Sequence, residues 1–186
     1  MARKTVIFRK DIIDAAVEIV RNQGPDALNA RSLASELGCS TQPVFSNFKS
    51  MDSLLEAVVD RTLEIYNSFV GTIVEKNEYG TPYKAQGMGY ILFAIQQPNL
   101  FKLIFMRDRK NEEHPAEDNL FENIIPLIMK ATGLDREKAS IFHLEIWATV
   151  HGIAVMAATG YLKLDPELVS RILTDSYQGL IQRFAK

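Results

Sequence analysis

Apolar residues recur along this chain at helical spacing and nowhere in sustained alternation. Over residues 9–22, Ile12, Ala15, Ala16, Ile19 and Val20 share one face. Gly24-Pro25 stops that run. Residues 51–76 carry a longer stripe of Leu54, Leu55, Val58, Val59, Thr62, Leu63, Tyr66 and Val70, with Ser50 as cap and Asp52 in the first turn. A helix of about 25 residues spans roughly 37 Å, so it can run as a strut from a small N-terminal domain into a larger one. Further helices are expected at 83–97, at 99–106 behind Pro98, at 117–131 with a bend at Pro126, at 136–160 and from Asp165-Pro166 to about Phe184. Residues 107–115 are charged and aperiodic, a loop. The expected fold is all-α.

Residues 29–48, NARSLASELGCSTQPVFSNF, read as two short helices around a tight turn. Leu33, Ala34 and Leu37 share a face, Asn29 is a good N-cap, and Gly38 supplies a permissive backbone for the turn. Ser40 or Thr41 can cap the second helix, Pro43 is tolerated in its first turn, and Val44 and Phe48 point back at the first helix. Its outward face is then Thr41, Gln42, Ser46 and Asn47, short polar side chains suited to base edges and phosphate oxygens. This is a helix-turn-helix pattern. A small all-α domain with a glycine between two helices and no interest in DNA has the same local pattern.

The chain has 186 residues, 47% hydrophobic and 24% charged, which fits one or two folded domains rather than a disordered segment. Its net charge of -2 excludes a generally basic coat, but the charge is uneven. Residues 1–50 hold Arg3, Lys4, Arg9, Lys10, Arg21, Arg31 and Lys49 against Asp11, Asp14, Glu18, Asp26 and Glu36, a balance of +2 that leaves -4 for the rest. A basic arm beside a helix-turn-helix suits phosphate attraction. Cys39 is the only cysteine, which excludes an intrachain disulfide, and it reads as a small buried hydrophobe. No window of membrane-span length is apparent, and Val6-Ile7-Phe8 is too short for a signal peptide, so a cytoplasmic protein without a membrane partner is expected.

Several of these residues together resemble the N-terminal domain of TetR-family transcriptional regulators. They are Arg9-Lys10-Asp11-Ile12-Ile13-Asp14-Ala15-Ala16, Gly24, Leu33-Ala34-x-x-Leu37-Gly38, Val44 to Ser50 and Leu54-Leu55. The resemblance covers residues 8–56 without a gap. Tyr90-x-x-Phe93-Ala94-x-x-x-Pro98-x-Leu100-Phe101-x-x-x-Phe105 and Trp147-x-x-x-His151-Gly152 are similar to one branch of that family. The resemblance implies about nine helices: a three-helix DNA-binding head at 1–50, and a ligand-binding and dimerisation domain at 51–186. Carried over by position, Arg31, Thr41, Gln42, Pro43, Phe45, Ser46, Asn47 and Lys49 match its DNA-contacting positions. Asn29 and Ser40 complete the expected DNA-binding set. The family usually has tyrosine at Phe45 and lysine at Met51, so two phosphate contacts are lost.

Other chemistries find less support. His143, Trp147 and His151 recur every fourth residue, but the two histidines lie about 12 Å apart along a helix, too far to share a metal. Glu112-Glu113-His114 reads as a solvated loop, and Gly87-x-Gly89 as close helix packing. No nucleophile with a positioned base is apparent, so neither enzyme activity nor a cofactor is expected. The aromatic residues Tyr66, Tyr90, Phe93, Phe101, Phe105, Phe121 and Trp147 serve as core or line a cavity between helices. The expected effector site is Tyr66, Tyr90, Phe93, Phe101, Phe105, Trp147, His151 and Met156, for a small, mostly apolar or aromatic ligand.

Surplus apolar surface predicts a two-fold homodimer: Ile146, Val150, Ala154, Ala157 and Ala158, then Leu168, Ile172, Leu173, Tyr177, Leu180, Ile181 and Phe184. The expected function is that of a ligand-responsive, sequence-specific DNA-binding repressor on a near-palindromic operator. The alternatives are an all-α small-molecule-binding protein or enzyme without DNA binding, and a helical module whose head binds protein.

Overall fold

The computed structural model describes residues 7–108 and 115–184, of which 115–123 by backbone alone. Arg3 and Lys4 of the basic arm, the Glu112-Glu113-His114 segment and the Phe121 side chain lie outside the described residues. Among those described, the structure has nine α-helices and no strand. They pack as two units: residues up to Gly71 with Phe93–Arg107, and Thr72–Leu92 with Asp108 onward.

The first unit opens with α1 (Arg9–Gln23), where Asp11 accepts from the Phe8 N–H at 2.9 Å and Gly24 ends the helix at φ 92°. Ile12, Ala16, Val17, Ile19 and Val20 are buried, each large one stabilising the unit by roughly 1.5–3 kcal/mol. A 3-10 turn, Pro25–Ala27, leads to α2 (Ala30–Glu36). Asn29 caps α2 reciprocally: its Oδ1 accepts from the N–H groups of Arg31 and Ser32, each at 3.0 Å, and Ser32 Oγ accepts from the Asn29 N–H at 3.1 Å.

The turn into α3 (Gln42–Asn47) is built on Gly38, whose φ is +62°. The Cys39 N–H donates to Ala34 O at 2.9 Å and the Gly38 N–H to Ser35 O at 3.2 Å, a pair of bonds that needs a left-handed residue at 38. Val44 and Phe48 are buried, as expected, and the Arg9 guanidinium lies 4.8 Å over the Phe48 ring. Two expectations fail here. Thr41 precedes α3 with helical backbone (φ −71°, ψ −11°), so its hydroxyl does not swing over the first amides and makes no cap bond. Cys39 is half-buried rather than core, because the turn carries it to the rim, with Sγ 3.1 Å from Ser40 O.

Ser50 and Ser53 cap α4 (Met51–Lys76) reciprocally at 3.2 Å. Leu54, Ala57, Val58, Val59 and Thr62 are buried, Thr62 bonding Val58 O at 2.7 Å. Leu55 is 40% exposed, one position off the buried stripe. Residues 93–107, with α6 (Pro98–Phe105), complete this unit. Asn99 Nδ2 donates to Arg21 O at 3.0 Å, and Arg21 Nη1 to Gln97 Oε1 at 2.8 Å.

The second unit holds most of α5 (Pro82–Gln96), with α7 (Pro115–Thr132), α8 (Arg136–Ala158) and α9 (Pro166–Phe184). Pro126 sits inside α7. Asp135 caps α8 and Asp165 caps α9, accepting from Lys138 N–H at 2.9 Å and Glu167 N–H at 2.7 Å respectively. Gly87 serves close packing: a Cβ there would stand 3.4 Å from Val150 and 3.5 Å from Leu173. Contrary to the sequence reading, α8 is long and apolar enough, by length and composition, to cross a membrane. Its apolar residues include core: Phe142, Ile146, Val150, Ile153 and Ala154 are all buried.

That burial also corrects the proposed surplus. Ile146, Val150, Ala154 and Ala158 of α8, and Leu173 of α9, are covered within one chain. On these two helices the exposed apolar residues lie on the opposite face of α8, Ile141 at 41%, Leu144 at 56% and Ala148, with Leu168 on α9.

Candidate nucleic-acid interface and effector region

The outward face of the helix-turn-helix follows from what its inward face buries. With Val44 and Phe48 in the core, Gln42, Phe45 and Ser46 are exposed, and Pro43, Asn47 and Thr41 are half-buried. Arg31, Ser40 and Lys49 are exposed around them. The set is brought together, but not all of it is free to read a base. Ser46 Oγ donates its one proton to Gln42 O at 2.9 Å, and Asn47 Nδ2 donates to Pro43 O at 2.9 Å. Asn29 is exposed, yet both ends of its amide are engaged, the oxygen in the α2 cap and Nδ2 with Ala27 O at 3.2 Å. An open concavity of about 450 Å³, lined by Ile7, Leu37, Gly38, Cys39, Ser40, Gln42, Pro43 and Ser46, runs along the turn.

The expected effector residues fall into two sets, one in each unit. In the first, Tyr66 meets Phe93 and Phe105 edge to face at 5.3 and 5.1 Å between ring centroids, and Phe105 meets Phe101 at 5.1 Å. Phe93 and Phe101 are fully buried. Burial pushes the Tyr66 phenol well above its ordinary pKa. In the second, Tyr90 Oη lies 2.8 Å from His151 Nδ1, with Trp147 4.8 Å from the Tyr90 ring and stacked on His151 at 6.1 Å. Met156 is half-buried further along α8.

The sequence reading missed a second pair on the same two helices. Tyr83 Oη lies 2.9 Å from His143 Nδ1, and the Tyr83 ring stands 6.4 Å from that of Tyr177. Tyr83 and Tyr90 are seven apart, His143 and His151 eight, and that matched spacing was the available signal. Burial raises the Tyr83 phenol, with a smaller push from Tyr177, and lowers both imidazoles. The Tyr83–His143 bond therefore joins two neutral groups at neutral pH. Among the described residues no cluster of His, Cys, Asp and Glu could hold a metal.

A helix-turn-helix with an exposed polar recognition face, on an all-α chain with its own aromatic core, defines a DNA-binding protein of the regulator class. The match to family models is specific: residues 12–58 match the bacterial regulatory proteins of the tetR family, and residues 83–177 the tetracyclin repressor-like C-terminal domain. The chain belongs to the TetR family and is a ligand-responsive DNA-binding transcriptional regulator. It is 21% identical over 164 residues to an uncharacterised HTH-type transcriptional regulator of Mycobacterium tuberculosis, covering 87% of this chain and 75% of that protein. It is 30% identical over 78 residues to the HTH-type nicotine-responsive transcriptional repressor HdnoR of Paenarthrobacter nicotinovorans, covering 42% and 40%. In fold it is similar to a protein of unknown function from Rhodococcus sp. RHA1, with a TM-score of 0.71, 22% identity and full coverage of both chains.

Proposed function

We propose that this regulator is a repressor that leaves a near-palindromic operator when a small, largely apolar ligand binds. The observation that carries the DNA side is the presentation of α3: the Gly38 turn and the buried Val44 and Phe48 leave Gln42 and Phe45 facing outward. Residues 1–50 act as the reading head. Gln42 and Phe45 contact bases, Arg31, Ser40, Thr41 and Lys49 contact phosphates, and Pro43, Ser46 and Asn47 shape the helix. The name of the nicotine-responsive relative supports repression and a small effector.

The ligand is bound by residues 51–186 together with their aromatic sets. In the first unit Tyr66, Phe93, Phe101 and Phe105 offer apolar surface; in the second Trp147 and Met156 do so, with the Tyr90–His151 bond as the polar element of that set. Fully buried Phe93 and Phe101 imply that the site opens as the ligand enters, which is a population shift rather than filling of a standing cavity.

The working state is a cytoplasmic homodimer through α8 and α9. Ile141, Leu144 and Ala148 recur at helical spacing on an open face. Gly152 and Gly179 stand where a Cβ would meet nothing within 4 Å, although mid-helix glycine costs about 1 kcal/mol against alanine. Close approach of a second copy accounts for that choice. Two heads then read half-sites about one helical turn, roughly 34–36 Å, apart.

The experiment is selection of bound duplexes from a random pool. Enrichment of a two-fold motif whose binding weakens steeply with salt is expected. A pool that never enriches would contradict the reading.

A further inference from the structure

We propose that base readout by α3 is divided between two side chains. Gln42 reads an adenine, and Phe45 reads the 5-methyl group of a thymine one or two base pairs away. This rests on the DNA-binding reading above and adds the chemistry of the half-site.

Each α3 residue can read only with the groups it has left to offer. Val44 is buried, and Pro43 and Asn47 are half-buried. Ser46 has given its hydroxyl proton to Gln42 O at 2.9 Å, and Asn47 has given an amide proton to Pro43 O at 2.9 Å. Exposed Gln42 keeps its whole amide, with no side-chain hydrogen bond among the described residues. One acceptor and one donor side by side match the adenine edge, where N6–H donates and N7 accepts. Phe45 is 51% exposed, three residues on and therefore on the same face. Its ring can neither donate nor accept a hydrogen bond, and facing a phosphate it would strip water from a charge and return nothing. The apolar group that the major groove offers is the thymine methyl. Cβ atoms at i and i+3 stand about 5–6 Å apart and base pairs about 3.4 Å, which sets the spacing of the two contacts.

The test uses the full-length protein and the duplex enriched from a random pool. Each thymine is replaced in turn by deoxyuridine, which lacks only the methyl group, and each adenine by 7-deazaadenine, which lacks N7. In the wild type one thymine per half-site should lose about fourfold in affinity, the weight of one buried methyl. That loss should vanish in Phe45→Ala and persist in part in Phe45→Leu. One adenine per half-site should lose at least about fivefold, a loss absent in Gln42→Ala. Both residues are exposed, so the variants should keep the wild-type melting temperature, which is checked first. If the duplex is bound specifically but no deoxyuridine matters, while Phe45→Ala weakens every sequence alike, Phe45 packs on the sugar wall and this inference falls alone. If no duplex is enriched, it falls together with the proposed function.

Discussion

The Tyr90 hydroxyl and Nδ1 of His151 meet at 2.8 Å, although 61 residues separate them in sequence. The pair ties α5 to α8 through a polar bond set against the Trp147 ring. Tyr90 is almost fully buried, so Tyr90→Phe removes a hydrogen bond from an interior site without opening a cavity. The expected cost is about 1–2 kcal/mol, a fall in Tm of roughly 2–8 °C, read by calorimetry. An unchanged Tm would show the bond to be without net weight.

Burial lowers the pKa of His143 and His151 from the ordinary 6.5. The unfolded chain then binds protons that the folded chain refuses, so stability falls as pH drops below about 6.5 and through the lowered values, and is flat above. Melting from pH 8 to pH 5 should show that decline, and the double variant His143→Gln, His151→Gln should flatten it. An equal decline in the variant would assign the pH dependence to other groups.

Asn29 is expected to act through α2 rather than through DNA. Asn29→Ala should destabilise the head by about 0.5–2 kcal/mol, while Asn29→Ser keeps most of the cap. Urea unfolding reads the stability, and operator affinity of Asn29→Ser near wild type separates capping from contact. Lys49→Ala, by contrast, should weaken every duplex alike and reduce the slope of log affinity against log salt by about one.

Leu144 lies 56% exposed on the open face of α8. Leu144→Glu should give a particle of one 21.0 kDa chain by light scattering, against twice that for the wild type, with its helical content intact. A dimer that survives this change would move the interface to other residues.

Much of the fold was legible because helix signals are local. The 51–76 helix came out with its observed bounds, since Ser50, Asp52 and an unbroken apolar stripe all act within a few residues. The turn at Gly38 and the cap at Asn29 were legible for the same reason. What stayed hidden depends on rotation and on distant partners. Periodicity says that α8 is apolar all round, but not which side the chain itself covers: Ile146 and Val150 are buried, while Ile141 and Leu144 are exposed. On α3, Asn47 gives one amide proton to Pro43 O, a bond set by side-chain rotamer that residue identity does not reveal. The Tyr83–His143 pair spans 60 residues, and only its spacing beside Tyr90 and His151 hinted at it.

Whether operator and effector compete for one protein is read by a reciprocal titration. A panel of small aromatic compounds is screened for a rise in Tm. The strongest binder is then titrated calorimetrically into the protein with and without the selected operator, and operator binding is measured with and without that compound. Each should weaken the other by the same factor, about 1.4 kcal/mol of coupling for every tenfold. Equal ligand affinity with and without operator would contradict it.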